Sequence, residues 1–200
     1  MSRAGEAHGQ AALGMLFAVA AVALVVGAAA ERLRPAANRR AVEASAEAVA
    51  ARMRALSRAA VRDGHTRALV FTAVGNGEPV REAVDSAGDG IRRRGVAEGS
   101  DPAGAAYRLA RDHPGVRFGR PAWSRIREIP PARGTIGADE PAVRFGTARM
   151  TVFDPQGHAT SGSLFVTDGR DALCAVVVYG VTARVQVWCY DRPQNAWTRR

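Results

Sequence analysis

One apolar segment near the start of the chain limits what the chain can fold into. Residues 11–30 are twenty consecutive residues without a charged or polar side chain, between Gln10 and Glu31. As an α-helix this segment would be about 30 Å long, which matches the hydrocarbon core of a bilayer. Nine of the twenty residues are alanine, which adds little to the free energy of membrane insertion. The sequence therefore predicts a membrane-length helix that is a weak anchor.

Three interpretations of this segment remain open. The first is a plain membrane anchor. The second is a cleaved secretory signal, because residues 28–30 are small and directly precede Glu31. The third is a helix that is retained behind a short polar leader ending in glycine, with residues 1–9 as the leader and a cut between Gly9 and Gln10.

A second helical segment is predicted directly after the apolar helix of residues 10–35. Pro35 is expected to kink or restart the helix. Over residues 36–64 apolar residues recur at helical spacing, arginines cover much of the remaining surface, and Gly64 stands at the C-terminal end. The apolar face of this amphipathic helix must be buried against another surface, either the rest of the chain or a neighbouring copy. Its apolar stripe consists of Val42, Val49, Met53, Leu56 and Ala60.

Residues 65–200 are predicted to form a β-rich head. Its middle part, 75–145, is expected to be irregular, because 75–104 contains seven glycines and 119–141 contains four prolines. The elements predicted here are a strand at 66–74, a long loop or a partly disordered excursion over 75–104, a short helix that begins at a cap of Asp101 and Pro102 and runs through 107–111, and a strand at 116–118.

The last third of the chain predicts an antiparallel meander. Turn sequences at 154–157 and 168–169 separate runs with strand composition. The fold class is therefore α+β, a long N-terminal helix with an apolar first half packed on a C-terminal antiparallel sheet. The strands of the meander are predicted at 148–153, 163–167, 173–179 and 184–190.

The only two cysteines are predicted to form a disulfide. If Tyr179 and Arg184 close the last hairpin, Cys174 and Cys189 lie directly opposite each other, because both pairs have the same sum of residue numbers. Directly opposed β-carbons are about 4.5–5.5 Å apart, close to the distance that a disulfide needs. Two buried free thiols are the alternative.

Two signals conflict over the side of the membrane on which the head lies. A disulfide requires an oxidising compartment outside the cytoplasm. The arginines that follow the apolar segment instead favour a cytoplasmic C-terminus. We give the disulfide more weight and predict an extracytoplasmic head. The four arginines concerned are Arg32, Arg34, Arg39 and Arg40.

The polar residues do not predict a catalytic, cofactor or metal site. All 28 basic residues are arginine, and the net charge is +9. No two histidines stand at a spacing typical of metal ligands, and Ser163 lacks the glycine pattern of a hydrolase nucleophile. We therefore expect no enzyme. The histidines are His8, His65, His113 and His158.

The order of leader, apolar helix, amphipathic helix and C-terminal meander resembles the GspH/FimT family of type II secretion pseudopilins and minor type IV pilins. Two stretches carry the resemblance. Residues 39–74 contain AEAVAARMRALSRAAVRDGHTRALVF, where a helix leads into the first strand. Residues 150–186 contain MTVFDPQGHATSGSLFVTDG and VVVYGVTARVQ.

The resemblance implies a structural subunit of a secretion pseudopilus that takes part in protein secretion. It implies cleavage between Gly9 and Gln10 by a prepilin peptidase, a single pass through the bacterial inner membrane and a periplasmic head. The implied partners are other pseudopilins or pilins, bound through the N-terminal helix, and secreted proteins. The fifth residue after the cut is Gly14, where the family usually has glutamate. Some minor subunits at filament tips share this loss, which suggests such a position.

Two alternatives follow from the same resemblance and from the segment order. One is a minor type IV pilin of the FimT branch, for pilus assembly or DNA uptake. Some members of that branch bind DNA through Gly-Arg-x-Arg, and the matching residues here are 183–186, in which only Arg184 remains of the two arginines. Arg184 is thus the candidate DNA contact, but DNA is not an expected partner. The other alternative is a membrane-anchored extracytoplasmic binding module.

Overall fold

The computed structural model divides the chain into two compact units, Met1–Ala37 and Asn38–Arg200. The backbone alone is described for some residues of the first helix, namely 3–14, 16–19, 25–26, 28–30 and 33. In all, the structure describes residues 3–71, 80–123, 125–137 and 140–200.

The first element is helix α1, Arg3–Asp63, and Pro35 lies inside it. The helix therefore does not end at Pro35, where a kink or a restart is predicted. Among the residues that the structure describes, none of the helices combines the length and the apolar character needed to cross a membrane.

The predictions for the leader and the anchor fall largely outside the described residues. Met1 and Ser2 are not described, and most side chains of residues 3–30 are not described either. Gly9, Gln10 and Gly14 lie in the helical backbone of α1. A helical backbone is compatible with each interpretation of this segment, so cleavage and membrane insertion stay predictions.

The apolar stripe of the amphipathic helix is confirmed. In the second unit, the five predicted stripe residues of α1 are at most 4% exposed. Burial of each larger side chain contributes roughly 1.5–3 kcal/mol of hydrophobic free energy. The predicted end of the helix is confirmed too, because Gly64 has a φ of +70° and donates its N–H to the Ala60 carbonyl at 3.0 Å.

Antiparallel strands make up most of the second unit. A small sheet has the order β2-β1-β7, a large sheet has the order β11-β10-β9-β8, with β3 and β6 both paired to β8, and β4 pairs with β5. The strands are β1 (Arg67–Phe71), β2 (Val80–Val84), β3 (Arg117–Phe118), β4 (Ile126–Arg127), β5 (Thr135–Ile136), β6 (Val143–Arg144), β7 (Met150–Phe153), β8 (Gly162–Thr167), β9 (Leu173–Tyr179), β10 (Arg184–Asp191) and β11 (Ala196–Arg199).

Three apolar clusters define the layers of this unit. The largest cluster joins the buried face of α1 to residues of both sheets, such as Phe71 and Val176. A second cluster lies on the opposite face of the large sheet, where the β4–β5 ribbon contributes Ile126 and Ile136. A third lies on the other face of the small sheet around Val70. The second half of α1 is therefore packed against both sheets.

The prediction of a loop over 75–104 is wrong for two stretches. Strand β2 and helix α2, Arg93–Glu98, lie in this range, whereas 72–79, including the end of the predicted first strand, are outside the described residues. Strand β2 forms because Val80 and Ala83 are buried against neighbouring elements. The stretch is too short and too rich in glycine to show a period, so tertiary packing decides its conformation.

The region 119–141 is also more regular than predicted, since it holds the β4–β5 ribbon. The short helix in this part of the chain is α3, Leu109–Asp112, and its N-cap is Arg108 rather than Asp101. Asp101 is instead 4% exposed, and its carboxylate accepts a hydrogen bond from the Arg92 N–H at 3.4 Å.

The predicted meander is correct for its central strands and wrong for its first. The turn at 154–157 forms, with the Gly157 N–H donating to the Asp154 carbonyl at 3.2 Å. However, β7 pairs with β1 in the small sheet, and the chain crosses to the large sheet before β8. Phe153 is fully buried in the cluster that α1 and both sheets share. Pairing in the small sheet therefore gives β7 its apolar cover. The meander continues instead with the unpredicted β11.

The loop between β9 and β10 holds a strained residue at its end. Ala183 has a φ of +46°, a left-handed conformation that is costly for residues with a β-carbon. It stands where the Gly-Arg-x-Arg motif has glycine.

Replacement of Ala183 by valine is expected to lower the free energy of unfolding by about 1–2 kcal/mol, because a β-branched residue is strongly disfavoured at positive φ. Denaturant unfolding measures the change. Thr182→Val introduces the same side chain at an exposed neighbouring position outside the left-handed region. Equal losses in both variants would contradict the expected cause.

Candidate functional site

The docked half of α1 is held to the large sheet by Arg54. Its Nη2 and Nε donate to the Val185 carbonyl of β10 at 3.2 and 3.4 Å. Its Nη1 lies 3.3 Å from Glu47 Oε2 on the same helix. Farther along, Arg200 Nε lies 2.9 Å from Glu43 Oε1. These contacts fix the helix along β10 and the end of β11.

Arg52 holds the other side of the helix to the small sheet. Its Nη1 lies 3.2 Å from Glu82 Oε1 of β2, and its guanidinium lies 4.4 Å from the centre of the Tyr107 ring. Burial, and then the charge of Asp112, raises the pKa of Tyr107, while Arg52 opposes the shift. The phenol therefore stays protonated near neutral pH and presents a neutral ring to the cation.

The disulfide prediction is confirmed. Cys174 and Cys189 are directly opposed in the β9–β10 register, and their sulfur atoms are 2.00 Å apart. The two residues are 2% and 6% exposed and belong to the same apolar cluster as the stripe of α1. The covalent bond thus lies inside the core that supports the helix.

The candidate DNA contact, Arg184, is exposed at the start of β10. With the Gln186 amide turned so that its groups are satisfied, the Gln186 oxygen accepts from Arg184 Nε at 2.9 Å and from Nη2 at 2.6 Å. Gln186 occupies the place of the second arginine of the motif. The hairpin therefore presents one guanidinium that is already hydrogen-bonded.

Three carboxylates that were not predicted from the sequence come together, two from the loop between β2 and α2 and one from the segment after α2. Ligand atoms of Asp85, Asp89 and Asp101 lie within 4.8 Å of one another. Asp85 accepts the N–H groups of Gly88 at 2.7 Å and Gly90 at 2.9 Å. These bonds close the loop after β2, which is a structural role. The signal in the sequence is the run DSAGDG at 85–90.

A second missed feature is an ion-pair network beside a cavity of about 260 Å³. The Arg144 guanidinium donates two hydrogen bonds of 3.0 Å to Glu128, and its Nε lies 3.1 Å from Glu140. Hydrogen bonding to Glu128 raises the pKa of Arg144, so the guanidinium stays charged. The cis bond between Pro130 and Pro131 lies at this cavity.

Comparison with protein-family models, curated proteins and solved structures found no match.

The site residues predicted from the sequence are therefore interpreted by their positions in the fold. The structure brings Cys174 and Cys189 together, and it places Arg184 at the far end of the same hairpin. Gly9 and Gln10 belong to the first unit, where the structure describes only their helical backbone. In the turn after β7, His158 Nδ1 lies 3.2 Å from Asp154, and both side chains are partly exposed, which is typical of turn stabilisation.

Proposed function

We propose that this chain is a minor pseudopilin, a structural subunit of a type II secretion pseudopilus in the bacterial inner membrane. The observation that supports this most is the amphipathic second half of a long N-terminal helix, packed by its apolar stripe on antiparallel sheets. The disulfide within the sheet supports a periplasmic position for the head. The order of leader, apolar helix, amphipathic helix and C-terminal strands supports the assignment to a pseudopilus.

The weak anchor has a role in this proposal. An alanine-rich helix can lie in lipid and then leave it to pack among the helices of other subunits, because both surroundings are apolar. The head must follow the helix during this transfer. The buried stripe packs α1 on both sheets, and Arg52 and Arg54 add contacts to them, so movement of the docked half of the helix carries the head with it. A separate assembly ATPase would supply the energy.

N-terminal sequencing of the mature protein tests the proposal. When the full chain is expressed in bacteria together with a prepilin peptidase, we expect the mature protein to begin at Gln10. Gly9→Asp should abolish this cleavage, because the peptidase must accommodate a small residue before the cut. Gly5→Asp introduces the same side chain elsewhere in the leader and should leave the cleavage intact.

A mature N-terminus other than Gln10 would contradict the proposal and would indicate a different class of protein. A mature protein that begins at Glu31 would be an exported domain without an anchor. A chain that keeps Met1 would be a simple membrane-anchored binding module. Cleavage at Gln10 followed by assembly into surface pili rather than a secretion filament would favour the minor type IV pilin.

A further inference from the structure

The outer edge of β11 is free among the residues that the structure describes. The strand is the last in its sheet and pairs with β10 on one side. The Arg200 N–H donates to the Val187 carbonyl of β10 at 3.0 Å. Because main-chain groups alternate in direction along a strand, those of Trp197 and Arg199 point away from β10. This edge therefore offers donors and acceptors to another strand.

A cavity of about 350 Å³ lies beside this strand. The loop between β4 and β5 forms the opposite wall, and Trp197 Nε1 fastens it by donating to the Arg127 carbonyl at 2.8 Å. The Glu128 N–H donates to the Gly134 carbonyl at 3.0 Å and closes the loop. The lining is mostly apolar, with Pro130, Ala132, Ala196 and Trp197.

Arginine side chains surround the cavity. Arg127 and Arg133 line it and are exposed, and Arg199 lies two residues beyond Trp197 on the same face of β11. Within the described part of the chain, none of the three guanidinium groups forms an ion pair. The one acidic residue of the lining, Glu128, is neutralised by Arg144. The surface therefore has a local excess of positive charge.

We propose that the free edge of β11 and the adjoining arginine-rimmed cavity bind an extended acidic peptide segment of another protein. The segment adds to the large sheet as a further strand. Apolar side chains on one of its faces enter the cavity, and its carboxylates pair with Arg127, Arg133 and Arg199. Main-chain hydrogen bonding to an edge strand favours a peptide over a nucleic acid, which lacks the alternating amide groups. This inference does not depend on the filament assignment.

Fluorescence anisotropy of a labelled peptide tests the proposal. The probe is an eight-residue peptide of alternating glutamate and valine, added to the full chain in detergent at low salt. The double variant Arg127→Glu/Arg133→Glu should weaken binding at least about tenfold, because it places like charges against the peptide. Arg40→Glu/Arg58→Glu makes the same charge change at two exposed positions of α1 and should bind like the original protein.

A second probe separates strand addition from general charge attraction. The same peptide with alternate N-methylated residues keeps its charge but loses the N–H groups that would meet β11. We expect it to bind at least about tenfold more weakly. Equal binding of the methylated peptide would overturn the proposal, as would full binding by the Arg127/Arg133 variant. Binding of a thymidine oligonucleotide at these arginines, without binding of the peptide, would also overturn it.

Discussion

Replacing Met53 by alanine is expected to lower the free energy of unfolding of the second unit by about 3 kcal/mol. Met53 is fully buried on the face of α1 that packs against both sheets. Loss of a large side chain there removes its transfer free energy and leaves a cavity. Chemical denaturation of the full chain, followed by tryptophan fluorescence, measures the loss, because the three tryptophans, Trp123, Trp188 and Trp197, all lie in the head.

Arg58→Ala is the matched control. Arg58 lies on the exposed face of the same helix, so truncation should change the free energy of unfolding by no more than about 0.5 kcal/mol. If Met53→Ala behaved like this control, the helix would not be docked on the sheets, and the main support for the pseudopilin proposal would be lost.

Removal of the disulfide has an expected effect of similar size. The double variant Cys174→Ala/Cys189→Ala should lose about 3 kcal/mol of unfolding free energy, because the bond joins residues 15 positions apart and restricts the unfolded chain. Denaturant midpoints with and without dithiothreitol measure the effect.

The reductant gives this experiment its own control. Dithiothreitol should shift the midpoint of the original protein towards that of the double variant and should leave the variant unchanged. An unchanged midpoint in protein whose thiols are shown to be free would contradict a stabilising role of the bond.

Local patterns were enough to predict the helix and the β9–β10 hairpin. The stripe from Val42 to Ala60 repeats at the helical period, and burial of that stripe is what holds the helix in place. The loop length between Tyr179 and Arg184 sets the register, and the register alone brings the two cysteines together. In both cases residues close in sequence contain the signal that predicts the element, although the sheets that bury the stripe lie far along the chain.

Elements that depend on distant partners were not predictable in this way. The two-residue strands β4 and β5 exist because Ile126 and Ile136 cover the outer face of the large sheet. Strand β7 lies in the small sheet instead of the predicted meander, and Phe153 is buried there in the cluster that α1 and both sheets share. The cavity beside the free edge of β11 depends on a loop about 65 residues earlier in the chain, and no spacing in the sequence encodes that approach.

The bond between Cys174 and Cys189 also sets how the head yields to tension. A pull on the docked half of α1 reaches β10 through Arg54 and the Val185 carbonyl. Strands β9 and β10 cannot separate at the disulfide, so the segment between the two cysteines, which are 15 positions apart, cannot be pulled straight. Extended, that segment would add roughly 50 Å of length. With the disulfide intact, a fully stretched head is therefore shorter by that length than a head without it. Strands β9 and β10 are the part of the chain that extends least under force.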